Sequence, residues 1–169
     1  MTLHPTLHLA LTRKSDNTHQ KRSYGSTGKD DSQVYINATI EGIPVTCLLD
    51  SDCEQTLMSF QLIKRCGYFI RATDKIVRAA NGTKLEIAGE AKVVICLGND
   101  YMQVIALISH DVDEVMLGYD YLTDNRCVWD FGNSQIFIRG KPYTPFARHG
   151  PPKCRRVFVT TNIVVSAKQ

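Results

Sequence analysis

From Gln33 to Leu49 apolar and polar residues alternate almost one by one, and a period of two leaves little choice but a half-buried β-strand. Val34, Ile36, Ala38 and Ile40 form one side of the first run. Glu41-Gly42 supplies a turn, and Ile43, Val45, Cys47 and Leu49 resume the alternation. The pair predicts a β-hairpin whose second strand delivers Asp50 at its end. A carboxylate at the end of a buried strand is costly unless it is paired or used, which marks Asp50 for chemistry. Ser51 and Asp52 follow it directly.

The rest of the chain continues in short strands. Thr56 to Ser59 predicts another strand, and Gln61 to Arg65 a helical turn closed by Gly67. Ile76–Ala80 and Lys84–Ile87 flank Asn81-Gly82, the strongest hairpin signal present. Ala91–Leu97 and Tyr101–Ser109 are joined by Gly98-Asn99-Asp100. Val115-Met116-Leu117 reads as a buried strand stopped by Gly118, and Tyr119 to Asn125 fits a short helix that Asp120 is placed to cap. Cys127–Phe131 and Gln135–Arg139 pair around Gly132-Asn133-Ser134. Many short strands with one or two short helices predict an all-β domain.

The domain runs from 32 to 145. Residues 1–31, rich in Thr, Ser, His, Lys and Asp, read as a disordered basic tail. Residues 146–169 read as a linker and a C-terminal segment, with Pro142, Pro145, Pro151 and Pro152 marking the linker. Val157 to Val165 is β-prone, with its partner strand expected beyond this chain.

Charge excludes some functions. Residues 1–30 hold five Lys/Arg and two Asp, so they carry the whole net charge of +3. The remainder balances 15 Lys/Arg against 15 Asp/Glu, which argues against a dedicated nucleic-acid surface and leaves only weak contact through the basic tail. The six cysteines (47, 53, 66, 96, 127, 154) form no CxxC pair and no zinc spacing. Cys47 and Cys96 sit in apolar runs, which suits a reducing, cytoplasmic setting. The N-terminus, interrupted by His4 and Pro5, does not read as a signal peptide, and no run approaches the ~20 apolar residues of a membrane span. Asn37-Ala38-Thr39 and Asn81-Gly82-Thr83 match the glycosylation pattern, which is idle without secretion. Asp111, Asp113 and Glu114 read as a solvated loop rather than a metal site, and Trp129 as core or sheet surface. No nucleophile–His–carboxylate spacing and no phosphate-binding glycine loop is present.

Three segments in order carry a resemblance. Leu48-Leu49-Asp50-Ser51-Asp52-Cys53-Glu54-Gln55-Thr56-Leu57 resembles the Leu-Leu-Asp-Thr/Ser-Gly-Cys/Ser-x-x-Thr/Ser-Leu segment of the retropepsins, the retroviral-type aspartic proteases, and most of all that of gypsy-type LTR retrotransposon polyproteins. Ala79-Ala80-Asn81-Gly82-Thr83 resembles their flap hairpin, and Met116-Leu117-Gly118-Tyr119-Asp120-Tyr121-Leu122 their Ile-Leu-Gly-x-Asp-Phe-Leu segment. Arg155-Arg156-Val157-Phe158-Val159 is similar to the linker before reverse transcriptase in such polyproteins. The resemblance covers about residues 33–165 and implies a closed β-barrel of the acid-protease type, one lobe per chain.

It further implies an aspartic endopeptidase that matures a polyprotein, without metal or cofactor. Only one apolar strand ends in Asp-Ser-x, so the implied site is shared by a homodimer acting on polypeptide. Two Asp50 carboxylates about 3 Å apart would share a proton, one acting as base on a water and the other as acid. Ser51 would make the hydrogen bond across the dimer. Ala80, Asn81, Gly82 and Thr83 would form the flap over the peptide, and Met116, Leu117 and Gly118 would support the aspartate loop from beneath. One position departs: the family's Gly is Asp52 here. Added bulk and charge where a peptide should run predict a weak or silent protease. The alternative is thus an inactive retropepsin-like module that dimerises or binds extended peptides.

Overall fold

The computed structural model describes residues 33–148 and the backbone of Val157–Thr160. The hairpin predicted at the start is present as β1 (Gln33–Ile40) and β2 (Ile43–Leu49), in register from Tyr35 against Leu48 to Ile40 against Ile43. Its turn residues Glu41 and Gly42 both have positive φ (49° and 74°), the twist that a two-residue hairpin between right-twisted strands demands. Next come β3 (Leu57–Ser59) and α1 (Phe60–Cys66). Gly67 closes α1 in the left-handed conformation, its N–H donating to the Lys64 carbonyl at 3.1 Å and Tyr68 N–H to the Ile63 carbonyl at 3.3 Å.

After β4 (Ile76–Ala79) come the two long strands β5 (Ile87–Leu97) and β6 (Asp100–Ser109), then β7 (Val115–Leu117), α2 (Tyr119–Asp124), β8 (Val128–Asp130) and β9 (Gln135–Ile138). The order β11-β1-β2-β7-β3-β6-β5, with β11 being Phe146–Arg148, makes one seven-stranded sheet. A further pairing of Thr39 with Cys96 joins β1 to β5, so six of these strands form a closed ring of pairings. Ring closure removes the exposed edges that an open sheet of this size would carry. Ile36, Ile40, Val93, Ile95, Leu97, Met102, Leu117 and Tyr121 fill its larger buried cluster. A second, smaller cluster gathers Tyr35, Leu48, Cys53, Leu57, Val77, Leu107 and Met116.

Several sequence readings need correction. Two prolines read as linker marks, Pro142 and Pro145, instead lie within or beside short strands: β10 (Lys141–Tyr143) adds to β9 and β11 to β1, Tyr35 facing Phe146. Pro142 is tolerated in β10 because that strand is short and lies at a sheet edge, and Pro145 falls between the two strands. The strand limits of residues 146–148 therefore lie within the fold, past the boundary drawn at 145. The partner of the C-terminal β-prone stretch is within the chain: β12 (Val157–Thr160) pairs with β4. The second limb of the Asn81-Gly82 hairpin is looser than predicted, with one bridge between Arg78 and Lys84 before Ile87 opens β5. The readings on residues 1–31 and on Arg155-Arg156 lie outside the described residues. Among the described residues, the five cysteines are free and no helix is long and apolar enough to cross a membrane.

Candidate active site

β2 sits between β1 and β7, and its parallel pairing with β7 runs Cys47–Val115, Leu48–Met116 and Leu49–Leu117. The ladder ends where the aspartate loop begins: Asp50 N–H donates to the Leu117 carbonyl at 3.0 Å. The loop then turns tightly on itself. Asp52 N–H donates to Asp50 Oδ1 at 3.0 Å, and Cys53 N–H to the Asp50 carbonyl at 3.3 Å. Asp50 is half-buried, whereas Ser51 and Asp52 are exposed. Asp52 is not among the residues with positive φ, so its backbone does not demand glycine.

The start of α2 holds this loop from the other side. Gly118 N–H donates to Thr56 Oγ1 at 3.1 Å, Tyr119 N–H to the Cys53 carbonyl at 2.7 Å, and Asp120 N–H to the Glu54 carbonyl at 3.3 Å. The first N–H groups of a helix have no partner within it, and here the aspartate loop accepts them. Gly118 itself is required by close approach. A Cβ there would lie 2.6 Å from the Gln55 carbonyl carbon and 2.8 Å from the Cys53 carbonyl oxygen. The sequence assigned Gly118 to loop support but gave no reason for glycine; the reason is this contact between backbones.

Asp120 does not cap α2 as expected, because Gly118 holds the N-cap position. Its carboxylate serves the loop instead: Oδ1 accepts Thr56 N–H at 2.9 Å and the Thr56 hydroxyl at 2.8 Å, as well as Tyr121 N–H at 2.7 Å. Thr56, fully buried, is the residue that sequence reasoning missed as a site element. Its hydroxyl joins Gly118 to Asp120, a link across 62 to 64 residues that periodicity does not reveal. Cys53 is also buried beside Asp50; burial first, then the Asp50 charge, pushes its thiol up to about 12, and the thiol donates to the Gln55 carbonyl at 2.9 Å. It is a packed side chain rather than a nucleophile.

The hairpin residues Ala80, Asn81, Gly82 and Thr83 are exposed. Gly82, with φ of 83°, donates N–H to the Ala79 carbonyl at 2.9 Å, while Asn81 Oδ1 accepts Thr83 N–H at 3.0 Å and Arg78 reaches the Gly82 carbonyl at 3.1 Å. Behind the hairpin, Val77 of β4 is buried in the same cluster as Cys53, Leu57 and Met116. That cluster ties the base of the hairpin to the aspartate loop and to β7. Asp111 and Glu114 are engaged separately, with Glu86 N–H and the Tyr35 hydroxyl respectively.

The matches to known proteins agree with this geometry. The profile described as gag-polyprotein putative aspartyl protease matches residues 36–124, from β1 to the end of α2. The chain is 24% identical over 120 residues to Protein DDI1 homolog 1 of Caenorhabditis elegans, covering 68% of this chain and 31% of that protein. It is 25% identical over 111 residues to Protein DNA-DAMAGE INDUCIBLE 1 of Arabidopsis thaliana, covering 63% and 27%. The match thus spans about a third or less of each of these relatives. In structure it is similar to the retroviral protease-like domain of Ddi1 from Leishmania major, with a TM-score of 0.57 and 20% identity over 68% of this chain and 94% of that one, which shows a shared fold. The matched residues take in the aspartate loop, β7 and α2, and the chain belongs to the gag-polyprotein putative aspartyl protease family.

Proposed function

We propose that this chain is one half of a homodimeric aspartic endopeptidase of retrotransposon origin, with Asp50 as its catalytic residue and polypeptide as its substrate. The observation that carries the reading is the fixing of Asp50: β7 takes its N–H through Leu117, and the N-terminus of α2 holds the loop after it. Catalysis by a positioned water needs this rigidity, because the barrier falls only when base and carbonyl are held in reacting geometry. Two Asp50 side chains at a dimer axis would share one proton and titrate as a unit. One carboxylate takes a proton from water as the water attacks the peptide carbonyl; the other donates to the carbonyl oxygen. The hairpin at Ala80–Thr83 would cover the peptide and exclude bulk water. The five free cysteines among the described residues are in keeping with an intracellular site of action.

The test is cleavage of an unfolded polypeptide by the full chain, with Asp50→Asn as control and the dimer followed by sedimentation. Cleavage that disappears in Asp50→Asn supports the enzyme. Cleavage that persists in Asp50→Asn refutes the assignment of Asp50. A second reading is favoured by Asp52, an added carboxylate beside Asp50. In it the chain is a silent retropepsin-like module that dimerises or binds extended peptides. A stable dimer without cleavage in either protein supports that reading.

A further inference from the structure

The two edges of β4 are occupied by different parts of the chain. On one edge, Ala79 N–H donates to the Thr83 carbonyl and the Val77 carbonyl accepts Leu85 N–H, both at 2.9 Å. The main-chain groups of Val77 and Ala79 thus face the hairpin's returning limb. Alternation along a strand turns those of Ile76 and Arg78 to the opposite edge. There β12 lies antiparallel, with Val157 against Ala79, Phe158 against Arg78, Val159 against Val77 and Thr160 against Ile76. Phe158 and Thr160 are therefore the residues whose N–H and C=O groups face β4.

This edge belongs to the strand that leads into the hairpin and whose base is packed with the aspartate loop through Val77 and Cys53. An extended peptide held under the hairpin needs an open main-chain edge, since adding a strand is how folded sheets bind peptides without a deep pocket. Resting on the reading of this site as one that takes extended polypeptide, we infer that Val157–Thr160 is an internal competitor: the chain's own C-terminal segment holds the edge of β4 at which a substrate peptide would pair. The sequence Val-Phe-Val-Thr suits the place, being β-branched and aromatic with no proline. A tethered strand acts at an effective concentration of order millimolar, so a free peptide must displace it to bind.

The test uses the full chain carrying Phe158→Pro, which removes the N–H that faces Arg78, and Thr160→Pro as an independent second variant. A fluorescent peptide of residues 155–162 is titrated into each protein and followed by anisotropy. Both variants should bind it about tenfold more tightly than the unaltered chain, and a peptide with its own Phe158→Pro change should bind none of them. Hydrogen exchange gives a second readout: the Arg78 and Ile76 amides should be protected in the unaltered chain, exposed in the variants, and protected again when peptide is added. Equal affinity for all three proteins, or rapid exchange at Arg78 in the unaltered chain, overturns the inference. Neither readout needs cleavage. Tighter binding without proteolysis refutes the protease reading alone, whereas proteolysis with unchanged affinity refutes only the competitor.

Discussion

Thr56→Val tests whether the hydroxyl between Gly118 and Asp120 fixes the aspartate loop. Valine keeps the shape of threonine, so the change isolates two hydrogen bonds. The Gly118 N–H, buried, loses its acceptor at 3.1 Å, and leaving such a donor unsatisfied costs about 1–3 kcal/mol. Asp120 loses the hydroxyl donor at 2.8 Å but keeps the Thr56 and Tyr121 N–H groups, so this second loss is worth only about 1 kcal/mol. The sum is a destabilisation of about 2–4 kcal/mol. Thr56→Ser keeps the hydroxyl and deletes one buried methyl, at about 1 kcal/mol. Urea unfolding of the three proteins, compared through midpoints at constant slope, measures both values. Cleavage, where present, should fall in Thr56→Val more than in Thr56→Ser, because the loop after Asp50 loses its anchor to α2. A Thr56→Val protein as stable as Thr56→Ser would refute the reasoning, since the hydroxyl would then contribute nothing beyond its volume.

Other perturbations have equally definite outcomes. Gly118→Ala forces a Cβ into the backbone of Gln55 and Cys53 and should destabilise by about 1–3 kcal/mol in thermal or urea unfolding, with loss of any cleavage. Glu90 is held below the usual glutamate range, chiefly by its hydrogen bond from Arg71, with burial opposing and Lys75 adding attraction. A depressed carboxylate contributes stability that is complete above its unfolded value, about 4.3, and is lost as pH falls through its lower folded value. Glu90→Gln should therefore flatten the acid limb of a stability–pH curve and leave its neutral limb level. Burial pushes the Cys47 and Cys53 thiols up to about 12, so iodoacetamide at neutral pH should leave both unlabelled until urea unfolds the chain. Labelling of Cys53 in the native protein would contradict the packing described for it.

The strand pattern was legible because each strand with one buried face repeats every two residues: Ile36, Ala38 and Ile40 are buried in β1 as the alternation requires. The places of Asp50 after β2, of Gly118 after β7 and of the Asn81-Gly82 turn were legible because each follows a local rule about strand ends, stops or positive φ. The Thr56–Asp120 bond was not, because its partners are 64 residues apart and each has a local alternative. Asp120 looks like a helix cap until the loop is seen to accept the helix's N–H groups. The short strands at 141–143 and 146–148 were hidden by Pro142 and Pro145, since proline usually marks loops; Pro142 is admitted within a strand because an edge strand spares some N–H groups. The pairing of β12 with β4 was hidden for a different reason. A partner some 80 residues upstream leaves no trace in the composition of either strand.

Asp52 separates the enzyme from the silent module, and the structure narrows how it acts. Its backbone is free of positive φ, so replacing glycine imposes no conformational strain, and any cost comes from the side chain. Two costs are distinct. One is charge: an extra like-charged carboxylate about 5 Å from another, at an effective dielectric of 20, costs roughly 3 kcal/mol before solvent weakens it. The other is bulk in the path that the proposed substrate would take, which removing the charge does not relieve. Asp52→Asn removes the charge and keeps the bulk, whereas Asp52→Gly removes both. If charge limits the site, Asn and Gly should raise cleavage alike. If bulk limits it, Gly alone restores cleavage and Asn does not. Robust cleavage by the unaltered chain, unimproved by either change, would refute the view that Asp52 hinders the site, because the exposed side chain would then lie clear of both the dyad and the peptide.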